Sequence, residues 1–301
     1  MIAARPIDAL RLIDEGARAG VAGVLITLIA IEGASSRAIG TQMAVLADGR
    51  QIGSFSGGCI ERAIAAEAIE VLADGRARSV RYGFGSPYID VRLPCGGGID
   101  LLFTPRPDSA SVAQALALVD QRAPAHLQLG DHVQHYTPGL RLIALGHGED
   151  LVALVRLARA YGVDVSAYAP AEEATGKDGI LPLVTRTRLP TFACDAWSAI
   201  VFAFHDHDWE ELLLPQALNL PAFYHGAVGS RRTHRARIER LRAMGVAESR
   251  IDGLRGSIGL IPATRNPGAL ALSILAELVQ DFEACAGQPA WTPAPQRARG
   301  T

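Results

Sequence analysis

The sequence predicts an α/β protein of two domains, the second built on a parallel sheet covered by helices. Three observations lead there. The chain has 301 residues, more than one ordinary core organises at roughly 100 to 200 residues per domain. Short branched apolar runs alternate with segments of helical spacing, and in the second half the alternation is regular enough to demand parallel strands. Pro138-Gly139 punctuates the middle. The domains expected are 1–122 and 139–286, with 287–301, "GQPAWTPAPQRARGT", as a proline-rich disordered tail without apolar periodicity.

Taken in order, Ile7, Leu10, Ile13 and Ala17 recur at helical spacing and predict a helix over 7–19, followed by "GVLITLIAI" as a buried strand. In "TQMAVLADGRQIGSF", Asp48-Gly49 stands between two short apolar stretches, the composition of a hairpin turn. Ile60, Ile64, Ala68 and Val71 mark a helix that stops at Asp74-Gly75; "SVRYGF" and "GIDLLFT" follow as strands, then a helix over 109–121. Beyond Gly139, "LRLIAL", "VDVSAY", "SAIVFAF" and "AFYHGAV" read as strands, with helices over 151–161 and 231–244. A last helix over 267–284 opens on a proline, which the first turn tolerates.

Composition excludes several classes of function. A formal net charge of -2, with both signs mixed along the chain, leaves no electrostatic footprint for nucleic acid or an anionic membrane. The longest apolar run, 21–31, falls short of the roughly 20 residues a membrane span needs, and "MIAARPIDAL" lacks the layout of a signal peptide, so a cytoplasmic protein is expected. Cys59, Cys95, Cys194 and Cys285 form no CxxC pair and are expected as reduced thiols. Cys194 and Cys285 read as small buried hydrophobes.

Cys59 and Cys95 sit differently, in "SGGC" (56–59) and "PCGGG" (94–98), each where a strand passes into a loop or helix. Glycine admits positive φ and lets backbone amides approach a ligand without an intervening Cβ. A helix starting near Gly58 would place Cys59 in its first turn, where the macrodipole favours a thiolate. Glu61 would then lie at the third helical position and reach back to the cap N–H.

In the second domain Gly146 and Gly148 follow a strand and precede a helix, the place where a Rossmann-like fold meets a dinucleotide pyrophosphate. Three details argue against NAD(P). Leu151 takes the third glycine position; Glu149 and Asp150 put negative charge in the first turn; and Ala169-Pro170 stand where a ribose-binding acid belongs, with Glu172 close but late. Ser230 in "GSRRT" is placed to cap a helix that opens with Arg231 and Arg232, a setting suited to phosphate. His205 and His207 in "FHDHD" invite a metal, but strand alternation would turn them to opposite faces.

The run "GASSRAIGTQMAVLADGRQIGSFSGGCIERAIAAEAIEVLADGRA" with "LPCGGGIDLLF" resembles the N-terminal domain of the XdhC/CoxI family. Downstream, "GAVGSRRTHRARIERLRAMGVAESRIDGLRGSIGLIPATRNPGALALSILAEL" is similar to that family's C-terminal Rossmann-type domain. The resemblance implies an accessory protein without turnover of its own. It would bind the molybdenum cofactor, of molybdopterin type, hold it while a cysteine desulfurase installs the terminal sulfur, and deliver it to an apo molybdenum hydroxylase such as xanthine dehydrogenase. It implies Cys59 and Cys95 as metal ligands, since soft thiolates suit such a metal. Arg37 is placed to take the cofactor phosphate through its planar fork. Ser56, Gly57, Gly58, Glu61, Gly96 and Gly97, and in the second domain Gly146, Gly148, Ser230 and Arg231, complete the expected cofactor-binding set. The chain departs from the family at Glu149 and Asp150, at the missing acid after the second strand, and at Ala269, where relatives usually carry Glu. A homodimer is left open. The rival expectations are an NAD(P)-dependent oxidoreductase using the Gly146 loop and a docking scaffold for the desulfurase or target enzyme.

Overall fold

A computed structural model describes residues 4–58, 60–86, 93, 96–174, 176–204 and 208–286. The chain divides into two compact units, 1–138 and 139–301.

In the first unit β1 (Gly23–Glu32), β2 (Gln42–Leu46), β3 (Gln51–Ile52), β4 (Arg78–Gly83) and β5 (Gly98–Pro105) form an antiparallel sheet in the order β3-β2-β1-β5-β4. β1 is apolar over most of its length, Thr27 and the terminal Glu32 apart, because the sheet is covered on both faces. Val24, Ile26 and Leu28 pack with Ile64, Ala68 and Val71 of α2 (Glu61–Asp74). Leu25, with Ala44 and Leu46 of β2, packs under α1 (Pro6–Arg18) and α3 (Ser109–Asp120). Period-two alternation thus divides one strand between two cores.

Residues 123–138, assigned no element from sequence, hold a β-hairpin of β6 (Ala125–Leu129) and β7 (His132–Tyr136). Its inward Ala125, Leu127, Leu129 and Tyr136 join the α1/α3 core. The Tyr136 hydroxyl donates to Gln42 Oε1 at 2.9 Å, and Gln42 Nε2 donates to Thr27 at 2.9 Å, so the polar groups under the hairpin are satisfied. The first unit therefore runs to Pro138 rather than 122.

The second unit is a six-stranded parallel sheet of β8 (Arg141–Gly146), β9 (Asp164–Pro170), β10 (Ile180–Leu183), β11 (Ser198–Ala203), β12 (Tyr224–Ala227) and β13 (Leu254–Gly256), ordered β10-β9-β8-β11-β12-β13. The order reverses between β8 and β11, the switch point at which doubly wound sheets open a crevice. α4 (Gly148–Tyr161) and α8 (Pro267–Cys285) cover one face. α5 (Glu210–Ala217), α6 (Arg231–Ala243) and the short α7 (Glu248–Ile251) cover the other. Among the described residues no helix is long and apolar enough to cross a membrane.

Two cysteine expectations separate. Cys194 is half-buried against the α5/α6 core, and burial pushes its thiol pKa up. Cys285 is exposed, not buried, because it is the last residue of α8.

On that core side α5 and α6 are joined by a buried ion pair. Arg237 Nε and Nη2 donate to the Glu210 carboxylate at 3.0 and 2.9 Å, with both side chains nearly sealed from solvent. Removing one partner strands the other charge in the interior. Glu210→Ala is expected to cost about 3–5 kcal/mol in urea denaturation, and a loss below about 1 kcal/mol would show that the pair is dispensable.

Candidate functional site

At one end of the first sheet, three segments meet: 33–41 after β1, 53–58 after β3, and Gly96-Gly97 before β5. The middle loop is organised by Glu61, the first residue of α2. Its Oε1 accepts from the N–H of Phe55 (3.0 Å) and Ser56 (2.9 Å) and from the Ser54 hydroxyl (2.8 Å). Its Oε2 accepts from the N–H of Gly58 (2.8 Å) and Ile60 (3.2 Å) and from the Ser56 hydroxyl (2.8 Å). The Gly57 N–H donates to Ser54 Oγ at 2.9 Å. Desolvation alone would raise the Glu61 pKa, but the Ser56 N–H and the hydroxyls of Ser54 and Ser56 outweigh it and hold the carboxyl at about 2, against an ordinary 4.5.

This arrangement corrects the sequence expectation in two respects. The helix begins at Glu61 after an Ile60 cap, not near Gly58. The loop amides expected to face a ligand turn inward to the chain's own carboxylate. Gly57 and Gly58, at φ 76° and 123°, supply the turn that aims them there, and open space lies where their Cβ atoms would be. Ser54, which the sequence reading passed over, is as much a part of the loop as Ser56; its signal was the repeated serine around Phe55.

Arg37 lies on the neighbouring loop. Its Nε donates to Ser54 O at 3.0 Å and its Nη1 to Ser36 O at 3.2 Å, while Ser36 Oγ donates to Phe55 O at 3.2 Å. The exposed guanidinium is thus moored to the Glu61 loop. On the other side the same segment meets Gly97, where a Cβ would fall 2.1 Å from Ala34 O. The structure so brings together Arg37, Ser56, Gly57, Gly58 and Glu61, with Gly96 and Gly97 just before β5. Cys59 and Cys95 lie outside the described residues, as do His205 and His207.

The second unit holds the remaining expected residues at the carboxyl ends of its strands. Gly146 allows β8 to pass close to β11, since a Cβ there would lie 2.5 Å from Ala203 O. Gly148 opens α4 at φ 69°. Its N–H, the donor a pyrophosphate would use, donates to Glu173 Oε2 at 3.0 Å, and Glu173 Oε1 lies 3.3 Å from His147 Nδ1. An acid is therefore present beyond β9, one residue later than the Glu172 weighed from sequence, and it occupies the helix start itself. Ser230 caps α6 by accepting the Thr233 N–H at 3.1 Å, and Arg231 is exposed in the first turn.

Residues 17–83 match the family model described as the XdhC and CoxI family, and residues 142–278 match the XdhC Rossmann domain. Molybdenum cofactor insertion chaperone PaoD of Escherichia coli (strain K12) is 32% identical over 289 residues, spanning 89% of this chain and 86% of that one. The chain belongs to the XdhC and CoxI family. Uncharacterized protein YqeB of the same organism is 25% identical over 247 residues, covering 79% of this chain but 40% of that longer protein. A crystal structure titled as a xanthine dehydrogenase from Bacillus halodurans superposes with a TM-score of 0.72 at 21% identity, over 96% of this chain and 98% of that one, and shows that the fold is shared. Within the XdhC and CoxI match lie both the Arg37 segment and the Glu61 loop; the XdhC Rossmann match contains Gly146, Gly148, Glu173 and Ser230.

Two predictions follow from the loop geometry. Because the folded Glu61 pKa is depressed, its contribution is complete above about pH 4.5 and is lost as the pH falls toward about 2. Glu61→Gln is expected to cost about 1–3 kcal/mol at pH 7 and to flatten the acid dependence of unfolding, read by denaturation at stepped pH. An unchanged acid limb would remove Glu61 from this role. Gly97→Ala, whose Cβ would meet a backbone oxygen, is expected to cost about 1–3 kcal/mol in urea denaturation. A loss below about 0.5 kcal/mol would refute the close approach.

Proposed function

We propose that the chain is an accessory protein of molybdenum-enzyme maturation that binds the molybdenum cofactor in its first unit and passes it on. The carrying observation is relatedness over most of both chains to a protein named as a molybdenum cofactor insertion chaperone. The geometry supports the same reading, since the Glu61 loop offers an uncrowded glycine surface beside the exposed Arg37 guanidinium. That set suits an anionic, phosphate-bearing cofactor. Arg37 takes the phosphate, and Cys59 and Cys95 serve as thiolate ligands by residue type. When bound, the cofactor supplies a metal that accepts soft sulfur donors; the chain supplies a rigid seat for it. Protection during sulfuration by a cysteine desulfurase and delivery to an apo molybdenum hydroxylase of the xanthine dehydrogenase type form the finer part of the proposal, and no turnover by the chain itself is assigned.

The dinucleotide-dependent oxidoreductase is the weaker reading, because Glu173 holds the Gly148 N–H and Glu149 and Asp150 stand in the same helical turn. Like charges there oppose a pyrophosphate.

The test is molybdenum and pterin content after purification from a host that makes the cofactor. The intact chain is expected to carry both, and Cys59→Ala and Cys95→Ala to lower bound molybdenum at least tenfold with circular dichroism unchanged. Wild-type molybdenum content in both variants would overturn the ligand assignment, and a wild-type protein free of pterin would overturn the function.

A further inference from the structure

In the second unit a cleft of about 840 Å³ opens beyond β12 and β13, between the starts of α6 and α8. Its size is that of a small-molecule site. Its position, at the carboxyl ends of parallel strands, is where doubly wound folds take ligands. One wall is the 257–266 loop, whose form is imposed from beneath by buried polar groups of α8. Glu277 accepts the Gly259 N–H and, at 2.8 Å, the Tyr224 hydroxyl; Ser273 Oγ accepts the Ile261 N–H at 2.7 Å. Ser257 and Ala263 are held in the left-handed region at φ 56° each, costly for residues with a Cβ. The fold thus commits buried polar side chains and strained backbone to keep a surface wall in place.

The lining sorts into two chemistries. Arg231 and Arg265 are both exposed on the cleft and have no carboxylate or carbonyl partner among the described residues, so both guanidiniums are available to a ligand. Leu260 and Ile261, on the 257–266 loop that also carries Arg265, leave 53% and 47% of their surface in solvent, enough for an apolar or aromatic moiety to cover. Asp150 is the single acid on the lining, against two guanidiniums. The phosphate seat usual for this fold, at Gly148, is held by Glu173, which leaves the arginine-bearing end of the crevice for an anion.

We infer that this cleft binds a phosphate ester of a small heterocyclic molecule, with Arg231 and Arg265 holding the phosphate and the Leu260/Ile261 wall covering the ring. The site lies in the second unit and does not depend on molybdenum binding in the first. Titration calorimetry on the full chain with inorganic phosphate and the four nucleoside 5′-monophosphates tests it. At least one nucleotide is expected to bind at submillimolar Kd, at least tenfold tighter than inorganic phosphate, and to weaken as salt is raised. Arg231→Ala and Arg265→Ala, both surface changes, are each expected to weaken it tenfold or more. Absence of binding by all four nucleotides up to 5 mM would overturn the inference on the order of the weakest small-molecule affinities. Equal affinity for inorganic phosphate, or binding indifferent to both arginine substitutions, would overturn it as well.

Discussion

The ionised carboxylate of Glu61 is the point on which the candidate cofactor end of the first unit depends. A half-buried carboxylate stays charged only if donors replace lost water, and here four backbone amides and two serine hydroxyls do so. The loop is consequently shaped around an internal anion rather than by apolar packing. Its glycines bend the amides inward, and its outward surface is left plain. Arg37 inherits its position from this arrangement, because it is hydrogen-bonded to a carbonyl of the same loop.

The second unit uses the same device repeatedly, with different results. Glu173 fills the start of α4 with a carboxylate from the chain itself, closing a place where a ligand anion would sit. Glu277 reaches from α8 to the Gly259 amide and keeps a loop standing clear of the sheet. Glu210 neutralises Arg237 between α5 and α6 and shapes no opening at all. Whether an internal carboxylate blocks, props or merely pairs is decided by which backbone groups lie in front of it.

Much of the architecture was legible in the sequence. Elements with a clear period, such as α1, β1, α2 and α8, lie within a few residues of their expected limits because their cores enforce the period. The elements missed lacked that signal. α5 carries Pro215 inside it, and β10 and β13 are only a few residues long. The site was legible as a set of motifs but not as a set of directions. Glycines announce unusual backbone, yet which way the amides turn depends on Glu61 meeting Ser54 and Ser56 through space. Glu173 lay next to a residue already weighed, and only the turn after β9 selects it over Glu172.

The β6–β7 hairpin carries a consequence for how the two halves can be separated. Cutting the chain at residue 122 takes Ala125, Leu127, Leu129 and Tyr136 out of the α1/α3 core and deprives the buried Gln42 of its tyrosine. A freestanding N-terminal half must keep residues 123–138, so the natural seam for gene fusion, fission or recombination falls at the Pro138-Gly139 step, where one autonomous core ends and the next begins.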